Sequence, residues 1–415
     1  MTVYKFGGAS VKDANGIRNL SEIVRKESGR LVIVVSAFGK TTNALEEVLN
    51  LWFDTKPYLQ NLEKIKEYHQ SVARELTGEG SPTVTLFNES LSKLKEYLAK
   101  PGREKYDTEY DQVVSYGELW STIIVSGYLK HSGLPAIYRD IREFLITDNR
   151  YRDAGILWEE STRRIAEAFS EKEGKLFVTQ GFIGGTLSGQ ATTLGREGSD
   201  YTAAILGNML NASKVVVWKD VPGILNADPK WKENTVLLNE VTYREAVEMT
   251  FSGAKVIHPK TIKPLHNKSI PLYVRSFLRP EDPGTVIRGK VTTQVMVPVF
   301  VKKEKQILIS ILPTDFSFVI GDNLGVIFQA FTKYGVKVNL VQASAVSLNV
   351  CADDDRDRID AMINDIGAEY SAVYNDNVEL YTIRHYSAEA ISEVLKGREL
   401  LVEQKTRRII QFVLR

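Results

Sequence analysis

The feature that most restricts the fold is a set of short runs in the first two-thirds of the chain that are apolar without alternation. They are TVYKF (Thr2–Phe6), RLVIVVSA (Arg30–Ala37), PAIYR (Pro135–Arg139), KLFVTQ (Lys175–Gln180), KVVVWK (Lys214–Lys219) and PLYVR (Pro271–Arg275). A strand with one wet face alternates apolar and polar residues. A strand that is apolar throughout is covered on both faces, as in a parallel sheet. Helix-forming stretches separate the runs, near 13–28, 41–54, 60–77, 84–99, 109–131, 160–170, 200–211 and 242–252. This strand–helix–strand repetition predicts a doubly wound α/β domain, whose ligands bind at the carboxyl ends of the strands. Residues 50–112 break the rhythm as a long, polar helical excursion, read as a lid, a subdomain or a purely structural element.

Beyond about residue 283 the pattern changes. RPEDPGTVIRG (Arg279–Gly289) is rich in Pro and Gly, so 284–294 is expected to be a linker. QILISILP, DNLGVIFQAFTKY, VKVNLVQA, AVSLNVCA, Asp355–Ile366 and AEYSAVYN then read as one β-α-β-β-α-β unit over 305–375. A second, shortened unit follows over 376–415, without a final helix and strand. VMVPVFVKK (Val295–Lys303) is a spare strand that can complete it, making the first unit an insertion within the second.

At 415 residues the chain is too long for one core. Lys+Arg minus Asp+Glu is 53 − 52, a net charge of +1, which argues against a bulk nucleic-acid or membrane-surface binder. The single cysteine, Cys351, excludes an internal disulfide scaffold and cysteine zinc sites. The five histidines form no H-E-x-x-H pattern. No leader and no membrane-spanning run is legible, so the expected location is the cytoplasm.

Four strand-end segments carry the candidate chemistry. In VYKFGGAS (Val3–Ser10) a cation ends a strand and paired glycines follow; the pair is a simple turn or a close approach of backbone amides to an anion. VVSAFGKTTNAL (Val34–Leu45) ends a strand at Ser36 and opens a helix near Thr41 or Thr42, or is only a capped loop. TQGFIGGTLSGQATTLGREGSDYTAAILG (Thr179–Gly207) is too glycine-dense for a core element; it places Arg196 in a loop and Ser199 and Asp200 as caps of the next helix. A helix N-terminus beside glycines and an arginine favours an anionic ligand. VVVWKDVPGILNADPK (Val215–Lys230) and GAKVIHPKTIKPL (Gly253–Leu265) add charged loops. There is no Walker-type G-x-x-x-x-G-K-[ST] and no G-x-G-x-x-G fingerprint.

In order and spacing, KFGGAS, VVSAFGKTTNAL, YGELWST (Tyr116–Thr122), TQGFIGG, TTLGREGSD, WKDVPGILNADPK and FSGAKVIHP resemble the aspartate kinases of the amino-acid kinase superfamily, and the tail resembles their paired ACT domains. The resemblance implies a three-layer αβα kinase domain with a mainly parallel sheet, followed by two ferredoxin-like ACT units. It implies ATP- and Mg²⁺-dependent phosphorylation of the L-aspartate side chain to 4-phospho-L-aspartate, the first step toward lysine, threonine and methionine. By position, Lys5 would contact the transferred phosphate and Asp200 would orient Lys5 or organise the reacting centre. Ser36, Thr42, Glu118, Phe182, Arg196 and Ser199 would line the aspartate pocket. Gly7, Gly8, Lys219, Asp220, Leu225, Lys230 and Lys255 fall where the family binds nucleotide. Direct metal ligands are not indicated. An end-product amino acid would bind at Asp322, Asn323, Leu324, Val338, Asn339 and Ser344, in a homodimer joined through the ACT units. Lysine is the expected effector, but Asn339 stands where lysine-sensitive relatives carry aspartate and offers no full charge to a ligand ammonium, so threonine or no effector stand as alternatives. The end at Arg415 implies that the homoserine dehydrogenase of bifunctional relatives is absent. Ala9, Glu197, Lys219 and Leu225 depart from the usual threonine, glycine, threonine and tyrosine. Two alternatives stand beside this reading: an amino-acid kinase acting on glutamate, N-acetylglutamate, carbamate or UMP, and a catalytically silent amino-acid sensor.

Overall fold

The structure is a computed structural model, and it describes residues 1–100, 102–170, 172–254, 257–291, 297–315 and 317–415. The chain divides into two compact units. The first comprises Met1–Ile224, Leu237–Val247 and Val256–Thr292; the second comprises Leu225–Val236, Glu248–Lys255 and Thr293–Arg415.

The first unit is built on an eight-stranded sheet in the order Ala136–Arg139, Leu176–Gln180, Leu31–Val35, Thr2–Phe6, Lys214–Lys219, Leu272–Ser276, Thr285–Arg288, Glu240–Thr242. All neighbours are parallel except Leu272–Ser276 with Thr285–Arg288. The apolar runs are the buried strands, as their unbroken Val and Ile content requires. Side chains alternate between the two faces of a strand. Tyr4, Phe6, Ile33, Val35, Val216 and Trp218 therefore share one face, in a core with the helices Ala14–Arg25, Thr41–Phe53 and Tyr106–His131. On the other face the helix Gly198–Met209 packs so closely that a β-carbon on Gly207 would lie 2.6 Å from Val215 Cγ2. Pro259–Asn267 lies beside that helix.

Several expectations are corrected. Thr285–Arg288, expected to be linker, is a sheet strand; the Pro- and Gly-rich residues before it form the turn of an antiparallel pair, with Gly284 at φ 69°. The excursion is no separate subdomain. Its helices Leu59–Thr77 and Pro82–Ala99 bury Leu62, Ile65, Val72, Phe87, Leu91 and Leu94 in the same core as the sheet. Ser199 and Asp200 are not caps. The helix starts at Gly198, its N-cap is Glu197, and both residues lie in the first turn.

In the second unit a six-stranded antiparallel sheet runs Val338–Ala343, Leu348–Asp353, Val299–Pro313, Tyr370–Arg384, Ile409–Leu414, Leu400–Lys405. The runs read as separate strands are continuous: 299–313 and 370–384 each serve both halves, with register shifts near Lys303 and Gln306. The described part of the spare strand, Val299–Lys303, pairs with Leu380–Arg384. Val295 and Met296 lie outside the described residues. The helices Asp322–Lys333 and Arg356–Ile366 cover a core of Ile307, Ile309, Ile311, Leu348 and Val350. Chain from inside the kinase sequence joins this unit: Ala227 and Trp231 pack with Phe300, Tyr381, Ile383 and Phe412.

Candidate active site

Parallel pairing aligns the carboxyl ends of the central strands, because Lys5 is in register with Val34 and Val217, and Phe6 with Val35 and Trp218. Strand alternation puts Lys5 on the face opposite Tyr4 and Phe6, where the helix Gly198–Met209 begins. There Lys5 Nζ lies 2.7 Å from Asp200 Oδ1, and Lys219 Nζ lies 3.4 Å from Asp200 Oδ2. Burial alone would raise the Asp200 carboxyl, but the two ammonium groups overcome it and hold it below the usual carboxylate range. One buried anion thus keeps two cations at the strand ends.

The loops around this triad meet closely. Gly39 N–H donates to Gly8 O at 3.0 Å, and a β-carbon on Gly8 would fall 2.5 Å from Ala37 O. Only glycine lets the two backbones approach this far. A β-carbon on Gly181 would likewise fall 2.5 Å from Ser199 Cβ.

A cavity of about 570 Å³ opens over this edge. Lys5, Gly8, Ser36, Thr42, Glu118, Phe182, Arg196, Ser199, Asp200 and Lys219 all line it, so residues expected for catalysis, for substrate and, in Gly8 and Lys219, for nucleotide meet in one place from six separate segments. Glu118, from the long helix Tyr106–His131, is fully buried. Its Oε1 accepts the Ala37 N–H at 3.3 Å, while Oε2 is buried without a hydrogen-bond partner. Burial pushes its carboxyl up to about 8, against the opposing effects of the Ala37 N–H and Lys5. A carboxyl in this state gains most from a ligand cation.

Glu197 lines the cavity, and one oxygen of its carboxylate is engaged at the cavity wall. Its Oε2 accepts the His258 N–H at 3.0 Å, at the N-terminus of the helix Pro259–Asn267, where a carboxylate is favoured. Asp220 is exposed and does not line the cavity. A β-carbon on Gly7 would sit 3.5 Å from Lys5 Nζ, which places this residue beside the triad. Leu225 and Lys230 belong to the second unit, and Lys255 lies outside the described residues. Sequence reasoning missed Tyr110, Arg152, Thr193 and Gly195, which also line the cavity. Arg152 lies in a polar turn, TDNRYRDAG, that nothing in the local pattern marks.

The expected effector residues make these contacts within the second unit. Asn323 Nδ2 donates to Ser317 Oγ and Phe318 O, both at 2.9 Å, and Tyr370 OH donates to its Oδ1 at 2.6 Å. Asn339 accepts from Lys303 Nζ at 2.7 Å and donates to Gln306 Oε1 at 2.7 Å and Asp353 Oδ1 at 2.6 Å. Ser344 bonds Ser347, and Leu324 and Val338 pack on the apolar core. Of Asp322 only the backbone is described, at the start of its helix.

A doubly wound sheet that gathers cations and glycine-lined loops at its carboxyl edge defines the class: an α/β protein handling small anions. Comparison with known proteins narrows it. A family model described as the amino acid kinase family matches residues 1–276. Lysine-sensitive aspartokinase 3 of Escherichia coli is 30% identical over 361 residues, covering 85% of this chain and 78% of that protein. The bifunctional aspartokinase/homoserine dehydrogenase 1 of Zea mays is 31% identical over 365 residues, covering 84% of this chain and 39% of that protein. The chain thus spans well under half the length of that bifunctional relative. The crystal structure of E. coli aspartokinase III with aspartate and ADP superposes with a TM-score of 0.81 at 26% identity, covering 100% of this chain and 96% of that one. The chain belongs to the amino acid kinase family, and within it to the aspartokinases.

Proposed function

We propose that the chain transfers the γ-phosphoryl group of ATP to the side-chain carboxylate of L-aspartate, giving 4-phospho-L-aspartate and ADP. The observation that carries this is the single cavity holding the Lys5–Asp200–Lys219 triad and the half-satisfied Glu118 carboxyl. The aspartate and ADP bound by the E. coli relative support it.

The chemistry suits these residues. A free carboxylate with a pKa near ~4 is ionised at pH 7, so the nucleophile needs no general base. The barrier lies in bringing two anions together and neutralising the phosphoryl group in transit. Lys5 and Lys219 supply positive charge, with Gly7 and Gly8 amides beside them. Asp200 fixes both ammonium groups before substrate arrives, so little reorganisation is left for the reaction. Glu118 takes the substrate ammonium, Arg196 a substrate carboxylate through its two-pronged fork, and Ser36, Thr42, Phe182 and Ser199 complete the walls.

Mg²⁺ is the cation expected with ATP. Among the described residues no group of three or more His, Cys, Asp or Glu can hold a metal, and Asp200 is engaged by two lysines. Among the described residues there is thus no cluster of protein ligands to hold the ion alone; such an ion would arrive on the nucleotide phosphates. Among the described residues no helix is long and apolar enough to cross a membrane.

The second unit is proposed to consist of two interleaved ACT units that regulate the enzyme and join two chains. Phe318, Ile320 and Val373 are 72%, 66% and 64% exposed, an apolar set suited to a second copy. Light scattering of the full chain should give twice the monomer mass. Aspartyl hydroxamate formation, run with aspartate or glutamate and with lysine or threonine added, tests substrate and effector together. Turnover with glutamate but not aspartate would overturn the assignment.

A further inference from the structure

Three residues other than glycine line the active-site cavity with left-handed backbone: Arg152 and Phe182 at φ 68° and Glu197 at φ 54°. That conformation is unfavourable for a residue with a β-carbon, and it concentrates where the side chain is used. Phe182 is already assigned to the substrate wall and Glu197 is bonded to His258. Arg152 has no role in the reading above.

Its placement is closely held. The Arg152 N–H donates to Asp111 Oδ2 at 3.0 Å. Asp111 is fully buried and also accepts from Thr193 N at 2.8 Å and Thr193 Oγ1 at 2.7 Å. The guanidinium lies 4.4 Å from the Tyr110 ring centroid and 3.3 Å from Asp107 Oδ1. The turn carrying Arg196 abuts the same segment: a β-carbon on Gly195 would fall 3.2 Å from Arg152 O and 2.7 Å from Asp153 Oδ1. Asp153 in turn pairs with Lys260, next to the His258 that holds Glu197. Two arginines therefore line one cavity from touching turns, and Arg152 and Thr193 are both bonded to Asp111 of the helix Tyr106–His131. Of the nearby acids, Glu197 is committed to a backbone amide, Asp200 to two lysines and Asp153 to Lys260, while Asp107 pairs with Arg152 itself at the cavity rim. Tyr110 and Glu118 are two helical turns apart, roughly 12 Å, a span that one amino acid and an extended arginine side chain can bridge.

We infer that Arg152 is a second guanidinium contact for the amino-acid substrate, sharing with Arg196 the carboxylate that is not phosphorylated. This rests on the phosphotransfer reading and adds a residue to its substrate site.

Arg152→Gly is the informative variant, because glycine accepts φ 68° without strain and the fold should survive. Steady-state kinetics and melting curves are compared for wild type, Arg152→Gly and Arg152→Lys. The expected result is a melting temperature within a few degrees of wild type and a KM for aspartate raised roughly tenfold in the glycine variant. The KM for ATP and kcat should stay within about threefold. The lysine variant should recover part of the loss, since it restores charge without the fork. An unchanged KM for aspartate overturns the inference. So does a joint fall of kcat and melting temperature with no selective change in that KM, the mark of a scaffold residue. An inactive wild-type chain would instead overturn the phosphotransfer reading itself, and Arg152 would have no such substrate to hold.

Discussion

Glu118 shows how one buried side chain sets both stability and binding. Its carboxyl is pushed up to about 8 by burial, well above the ~4.3 of an exposed glutamate. The folded state therefore holds a proton that the unfolded state releases between those values, and stability falls as pH rises through that window. Glu118→Gln should raise the melting temperature by more at pH 8 than at pH 5, while removing aspartate-dependent turnover; an equal shift at both pH values would contradict the account. Binding follows the same titration, since a substrate ammonium needs the carboxylate. The KM for aspartate should drop about fivefold from pH 7 to pH 8 as the empty site ionises. Lys5 acts at a different step. Lys5→Ala leaves Lys219 against Asp200, and should lower kcat by roughly 10²–10³-fold with little change in the KM for aspartate.

Among the elements, the helix Leu59–Thr77 carries a buried titrating group far from any substrate role. His69 is stacked between Phe38 and Phe87, with ring centroids at 5.4 and 5.9 Å, and its Nδ1 lies 2.8 Å from Ile65 O. Burial lowers its pKa to about 4, only partly offset by that hydrogen bond. Since the folded value lies below the unfolded ~6.5, the stability it allows is present above pH 6.5 and lost as pH falls toward 4, by about 3 kcal/mol. His69→Phe keeps the stack and should flatten that acid limb in a melting series from pH 7 to pH 4; an unaltered slope would place the acid sensitivity elsewhere. Elements were legible in the sequence where packing demanded one residue type over a whole segment. The Val-rich central strands are the clearest case. Thr285–Arg288 was hidden because its turn is rich in Pro and Gly, and Pro259–Asn267 because it has nine residues and an interior proline. The strands Val299–Pro313 and Tyr370–Arg384 read as broken because their middles are polar where the two halves join. The site was legible as far as its glycine and lysine motifs reached. Arg152 was not, since only its backbone angle and its place in the cavity mark it.

The whole molecule is less divisible than a linker would suggest. Leu225–Val236 and Glu248–Lys255 belong to the second unit although the kinase sequence surrounds them. Ala227 and Trp231 lose their partners Phe300, Tyr381 and Phe412 if the chain is cut after 291. Such a fragment should melt well below the full chain and bind an apolar dye; a fragment as stable as the whole would show that these segments need no C-terminal sheet. The central claim is that cations fixed by Asp200 at one sheet edge drive phosphoryl transfer to aspartate. Its most direct test is hydroxamate trapping of the acyl phosphate, with ADP release measured alongside, for wild type and Lys5→Ala. The account predicts equal amounts of hydroxamate and ADP from the wild type, dependent on aspartate, and near-background yield from the variant. ADP release without hydroxamate, or an unaffected Lys5→Ala, would contradict it.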